Sequence, residues 1–236
     1  MRRDPSGWDR AADLAQIEAT YAGYDASGRS RLWRGDNQGY ARLAGQVRHR
    51  LLADLARSIG GGRNRVLDLG CGTGDLALEA ADAGLRPDWV GVDLRTEAVD
   101  AARAAFPTGT FIAASADDVP EPTASFDVVV AQVLFSSLPS ESLESAVAAE
   151  IGRLLKPSGW LVWSDLRYSN PRNPAIHGLD LGRIRRLFPG WHREIRPMGL
   201  LPPIARGLGP AAGLLYPVLS AIGPLRSHLV GRLRHP

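Results

Sequence analysis

Apolar positions change their spacing along this chain in a way that divides it into three stretches. Over residues 9–27, Leu14, Ile17, Tyr21 and Tyr24 recur at three- and four-residue intervals, predicting a short amphipathic helix. A polar, glycine-containing stretch from Ser27 to Gly39 follows, then a second helical run from Tyr40 to Ser58, ended by Gly60-Gly61-Gly62. Beyond this punctuation, short continuous apolar runs replace the helical period. Arg65–Leu69, Trp89–Leu94, Thr110–Ala114, Phe126–Ala131 and Trp160–Ser164 predict strands, and continuous runs such as Val128-Val129-Val130 fit strands buried on both faces. Between them, Asp75–Ala83, Thr96–Ala105 and Ser140–Leu155 predict helices, with Thr96 and Ser140 as N-caps. Strands alternating with helices at this spacing argue a doubly wound, mostly parallel α/β sheet of the Rossmann-like kind, with helices on both faces. Further on, Asp180–Phe188 predicts a helix, and His192–Pro197 and Ser227–Leu233 predict a sixth and a seventh strand. The Pro- and Gly-rich apolar stretch between those two strands is read without regular structure.

The chain therefore reads as one domain in three parts: N-terminal helices over 1–60 that serve as a lid, a ligand-binding core over 61–166, and an acceptor-side part over 167–236. Its 236 residues, 44% hydrophobic and 22% charged, suffice for a sizeable core. Cys71 is the only cysteine, so no intrachain disulfide forms, and a reducing cytoplasmic compartment is expected. The opening residues lack the apolar core of a signal peptide.

Charge adds one asymmetry. The net +3 divides into −6 over the first 166 residues and +9 from Arg167 onward. Such a tail suits an anionic partner or a membrane surface, or else is a solvated arginine face. Lys156 is the sole lysine, and this arginine bias is not by itself a sign of nucleic-acid binding.

The chemistry concentrates after the first strand, in Val66-Leu67-Asp68-Leu69-Gly70-Cys71-Gly72-Thr73-Gly74-Asp75. In a doubly wound sheet, ligands bind at the carboxyl ends of the strands. Glycines there let a ligand lie against the backbone. Asp75 stands in the first turn of the next helix, where it would repel a pyrophosphate, so the loop suits a ligand without one. Asp68, inside the strand, is a buried carboxylate that needs a partner, and a ligand ammonium would supply it. Asp93 ends the second strand 19 residues beyond Gly74, the position from which an acidic side chain bonds ribose hydroxyls.

These features together resemble the class I S-adenosylmethionine (SAM) dependent methyltransferases over most of residues 63–165. Val66–Gly74 is similar to the family's first motif and Gly91–Leu94 to its second. Phe111–Pro120 resembles the segment flanking the adenine, Ser125–Val129 the fourth-strand motif, and Arg153–Trp160 the turn before the fifth strand. The resemblance implies SAM as cofactor, held by Asp68, Gly70, Cys71, Gly72, Gly74, Asp93, Leu94, Ala116, Asp117 and Gln132. The chain departs from the family at Ser115, where an acidic residue is frequent. It departs again around Phe135-Ser136-Ser137, where a histidine is frequent. The tail resembles bacterial methyltransferases of glycan or natural-product pathways, which implies a small-molecule acceptor and O-methylation. RNA or protein methylation, and SAM binding without catalysis, stay open.

On the acceptor side, Asp165, Arg167 and Tyr168 follow the fifth strand and are the candidate catalytic residues: a carboxylate to accept a proton, a cation for an anionic acceptor, and a phenol beside them. His177 also has a suitable ordinary pKa. Tyr21, Tyr24, Trp33 and Tyr40 read as core aromatics or as a lid over the cofactor. No motif with metal-ligand spacing is present, and no metal is expected. Residues 207–225 carry no charge, but repeated Gly and Pro argue against a membrane span. A lid, a homodimer surface or peripheral membrane contact remain open for this run, as does an anionic or lipid-linked acceptor. No nucleic-acid partner is expected.

Overall fold

In the computed structural model, which describes residues 7–26, 37–171 and 173–236, the expected alternation is realised as a single seven-stranded sheet. The expected polar stretch from Ser27 and the candidate Trp33 fall at residues 27–36, outside the described residues. In chain order the elements begin with helices α1 (Arg10–Ala26) and α2 (Gln38–Ser58). The alternating core follows: β1 (Arg65–Leu69), α3 (Asp75–Asp82), β2 (Asp88–Asp93), α4 (Thr96–Ala105), β3 (Thr110–Ala113), β4 (Phe126–Gln132), α5 (Glu141–Leu154) and β5 (Leu155–Leu166). The tail adds α6 (Leu181–Leu187), β6 (His192–Met198), α7 (Pro202–Gly207), α8 (Ala212–Ala221) and β7 (His228–Arg234).

The strand order is β3-β2-β1-β4-β5-β7-β6, parallel throughout except for β7, which runs antiparallel to both of its neighbours. The winding reverses between β1 and β4, so the loops after these two strands diverge and leave a crevice. Alternation along the central strands feeds two cores. Leu67 and Leu69 of β1 join Val129 and Ala131 of β4 under α5 and α6, while Val66 joins Val128 and Val130 under α2, α3 and α4. A third cluster, with Leu43, Val47, Leu200, Ala205 and Tyr216, sits between α2 and the α7–α8 hairpin.

Local chemistry fixes the helix ends. Asn37 caps α2 by accepting the N–H groups of Gly39 and Tyr40, Ser140 caps α5 through Leu143, and Asp180 caps α6 through Arg183. Thr96 does not cap α4. It is the first helical residue after Arg95, and the Arg95 N–H goes to Asp93 Oδ1 at 3.0 Å. The fifth strand begins at Leu155, five residues earlier than its apolar run suggests. The turn through Ser158, at φ +62°, is extended enough to pair Leu155 with Phe126 across a register shift.

The Pro/Gly-rich stretch before β7 is helical, contrary to its composition. Pro202 and Pro203 occupy the first turn of α7, where a missing N–H costs nothing. α7 then packs so closely on the start of α2 that a Cβ on Gly39 would lie 1.8 Å from Ala205 O. Tyr216 of α8 is buried and donates to Gln46 Oε1 at 3.0 Å, which ties α8 to α2 despite Pro217 in its interior.

Candidate active site

Where the winding reverses, β1 ends and the chain turns through Gly70 and Gly72, both in the left-handed region at φ +79° and +52°. Gly70 and Cys71 donate their N–H groups to Val92 O at 2.8 and 2.9 Å, which stitches the loop to β2. Asp93 continues this work: its Oδ2 accepts the Gly72 N–H at 2.9 Å. Each carboxylate oxygen keeps a further lone pair for a ligand. Gly74, at φ +80°, precedes α3, and a Cβ there would lie 3.1 Å from Ala102 Cβ, so this glycine serves helix packing.

A cavity of about 700 Å³ opens over this loop. On the cofactor side, Asp68, Gly70, Cys71, Gly72, Asp93 and Leu94 line it, and Ala116 and Gln132 line its further walls. Gly74 and Asp117 are not among the lining residues. Asp117 turns instead to α1: Arg10 grips its two oxygens at 2.5 and 3.0 Å, and Ser115 adds a hydroxyl. Burial pushes the Asp117 carboxyl up, but these hydrogen bonds outweigh it and hold the group below its ordinary value. These bonds tie the loop after β3 to α1.

Asp68 lies between Gly91 of β2 and Val130 of β4 and is 3% exposed, with Oδ2 buried and unpartnered among the described residues. Burial pushes its carboxyl up to about 7. Arg48 opposes the rise, and Asp93 and Asp75 add to it. An orphaned buried carboxylate facing a cavity fits the ammonium of a methionine moiety. The residues present therefore fit SAM.

α1 crosses the cavity, and its apolar stripe of Leu14, Ile17, Tyr21 and Tyr24 lines it. Arg95 stacks over Tyr21 at 4.6 Å, and Tyr21 meets Tyr24 edge to face at 5.7 Å. The Tyr24 hydroxyl is hydrogen-bonded to Asn173, which ties the tail to α1. Beside β4, Val133 lines the cavity at φ +54°, an outlier for a β-branched residue.

The three residues expected to carry catalysis are not brought to the cavity wall. Asp165 is fully buried behind it, accepting the Ser136 and Leu166 N–H groups, and burial pushes its carboxyl up to about 6. Arg167 donates to Gly223 O and Tyr168 to Pro224 O, so both brace the tail. His177 bonds the buried Glu144, which Arg183 also holds, in a half-buried cluster outside the cavity. Part of the basic excess is structural in the same way, since Arg232 pairs with Glu194.

Further along, the cavity wall includes Tyr40, Asn170, Asn173, Ile176, Arg206 and His228. Because β7 runs antiparallel, its first residue, His228, arrives opposite Leu166 at the edge where the parallel strands end. No local spacing marks His228 as a cavity residue; the sheet order brings it there.

With this geometry in place, residues 66–159 match a protein family described as a methyltransferase domain. Over these residues the chain is similar to that family. The domain covers the glycine loop, Asp93, Ala116 and Gln132, and its fold and motif are those of the class I SAM-dependent enzymes, with SAM as the cofactor. The chain is 33% identical over 135 residues to the ubiquinone/menaquinone biosynthesis C-methyltransferase of Syntrophotalea carbinolica, covering 54% of each chain. It is 34% identical over 161 residues to the ubiquinone biosynthesis O-methyltransferase of Paraburkholderia phymatum, covering 64% of each. The chain thus spans between half and two thirds of these relatives. A SAM-dependent methyltransferase of Methanosarcina mazei has the same fold, with a TM-score of 0.57 at 19% identity, covering 76% of this chain and 95% of that one.

Proposed function

We propose that this chain is a SAM-dependent methyltransferase whose acceptor is a small molecule with a hydroxyl to be methylated, of the kind found in glycan and natural-product pathways. The observation that carries this reading is the single cavity running from the glycine loop to Asn173 and His228. Its volume suits a cofactor beside a small acceptor. Bound SAM supplies a methyl group already activated by its sulfonium. The chain's own residues do the rest: Asp93 and Asp68 hold the two ends of the cofactor, and α1 covers it from water. The two relatives differ, by their names, in methylating carbon and oxygen, so likeness to them leaves the acceptor atom to this chain's own wall.

That wall favours oxygen because of His228. The Ser227 hydroxyl lies 3.0 Å from Leu200 O, which only accepts, so Ser227 donates there and accepts from His228 Nδ1 at 2.8 Å. The imidazole therefore carries its proton on Nδ1 and keeps a lone pair on Nε2. Burial lowers its pKa to about 4, so it stays neutral at physiological pH. A neutral imidazole in the cavity is a proton acceptor for a hydroxyl.

Labelled SAM incubated with small-molecule, RNA and protein fractions tests the reading. Label is expected in the small-molecule fraction as an alkali-stable methyl ether. Transfer only to RNA or protein, or none to any fraction by SAM-bound protein, overturns it.

A further inference from the structure

α8 is held to the body by one side only. Ala212 and Tyr216 are buried against α2, while Leu214, Leu215, Val218 and Ile222 point the other way with 78%, 40%, 63% and 46% of their surfaces exposed. The spacing of these four residues places them along one face of the helix and its C-cap. A contiguous apolar patch of this kind on a small domain marks a contact surface.

The rim of the patch is cationic. Arg42 of α2 passes close to Gly213, where its guanidinium would lie 3.7 Å from a Cβ. Arg167 donates to Gly223 O, and Arg226 donates to Ser220 O and Ala221 O, so both guanidinium groups sit at the C-terminal end of α8. None of the three pairs with a carboxylate among the described residues. The sequence holds no acidic residue after Glu194. No helix of the described residues is long and apolar enough to cross a membrane.

We propose that α8 and its arginine rim form a docking surface for an anionic lipid bilayer, with Leu214 and Val218 entering the interface between headgroups and acyl chains. Apolar side chains on one helix face, ringed by guanidinium groups without carboxylate partners, are complementary to acyl chains beneath phosphate headgroups. A second copy of this chain would offer the same positive rim and repel it. Pro202 and Arg206 of α7 also line the cavity, so the docking surface and the cavity wall share one helical hairpin. The inference stands apart from the acceptor's identity and from methyl transfer itself.

Co-sedimentation tests it, using vesicles of equal parts phosphatidylglycerol and phosphatidylcholine, vesicles of phosphatidylcholine alone, and low and high salt. The wild-type protein is expected to pellet with the anionic vesicles at low salt and to be released as salt shortens the screening length. Leu214→Ser with Val218→Ser should lower the partition coefficient by at least about tenfold. Arg42→Gln should lower it roughly fivefold. Both variants alter exposed side chains and should keep SAM affinity, which verifies their fold. Failure of the wild type to pellet, or pelleting unchanged in the double variant, overturns the proposal. So does a dimer in sedimentation velocity that the double variant breaks while neither protein meets vesicles, since the patch is then a self-interface.

Discussion

The Ser227 hydroxyl stands 2.8 Å from Nδ1 of its neighbour His228 and fixes which imidazole nitrogen is free. His228→Gln should leave SAM affinity unchanged and lower kcat by about 100-fold, the lower end of what a positioned base contributes. In the wild type, kcat should fall as pH drops toward about 4, where the buried imidazole protonates, and the variant should lack this limb. A variant with wild-type kcat removes His228 from the chemistry. Ser227→Ala, which frees the tautomer, should produce a smaller loss in the same parameter.

Asp68 predicts a pH dependence of stability. Its folded carboxyl titrates near 7 against an ordinary 3.8, with burial as the main cause. Between these values the folded protein keeps a proton that the unfolded chain has lost. The stability contributed is full below about pH 4 and fades as pH climbs to about 7. Each tenfold difference in proton affinity is worth about 1.4 kcal/mol. Asp68→Asn should flatten the Tm profile over this window, raise Tm at pH 8 and abolish tight SAM binding. An unchanged profile would show that Asp68 is ionised and partnered without its ligand.

Gly91 sits in β2 where a Cβ would come within 2.5 Å of the Phe111 ring and 2.9 Å of Cys71 Sγ. Gly91→Ala should cost about 1–3 kcal/mol by overpacking. That lowers Tm by roughly 2–4 °C for each kcal/mol. Because Cys71 lies in the glycine loop, SAM affinity should fall as well. Thermal melts of the apo protein check the first effect, and a Tm equal to the wild type would contradict the packing seen here.

The pair Arg10–Asp117 joins α1 to the loop after β3. Arg10 is 41% exposed, so water screens the pair and its worth is about 1 kcal/mol or less. Arg10→Ala should therefore speed SAM dissociation by up to roughly fivefold with little change in Tm. Stopped-flow displacement measures this. An unaltered off-rate would mean that α1 does not gate the cofactor.

The core of this fold was legible because its strands are continuous apolar runs and helices with clear periodicity follow most of them, two with side-chain caps at Ser140 and Asp180. The cofactor loop was legible because Gly70, Gly72 and Asp93 carry their meaning in local spacing. The tail resisted the same reading for two physical reasons. Pro and Gly argue against helices locally, yet burial of Tyr216 and the close seat of Ala205 on Gly39 settle α7 and α8 through tertiary contacts. The cavity wall joins Tyr24, Asn173 and His228 from three distant segments, and the antiparallel insertion of β7 that brings His228 there has no local signal. Asp165 and Tyr168 lie next to the right strand end, but the pleat turns one inward and the loop turns the other to Pro224. The bond between Asp117 and Arg10, from a helix more than a hundred residues away, likewise has no local signal.

The central claim is that the crevice after β1 and β2 binds SAM through Asp93 and the glycine loop. Titration calorimetry of the purified protein with SAM, and separately with NAD, tests it most directly. SAM should bind at one site per chain, and a folded Asp93→Ala should bind it more weakly. The loss should be roughly 0.5–3 kcal/mol for each ribose hydrogen bond removed. NAD should give no saturable heat. Binding of NAD without SAM, or unchanged SAM affinity in a folded Asp93→Ala, would contradict the account.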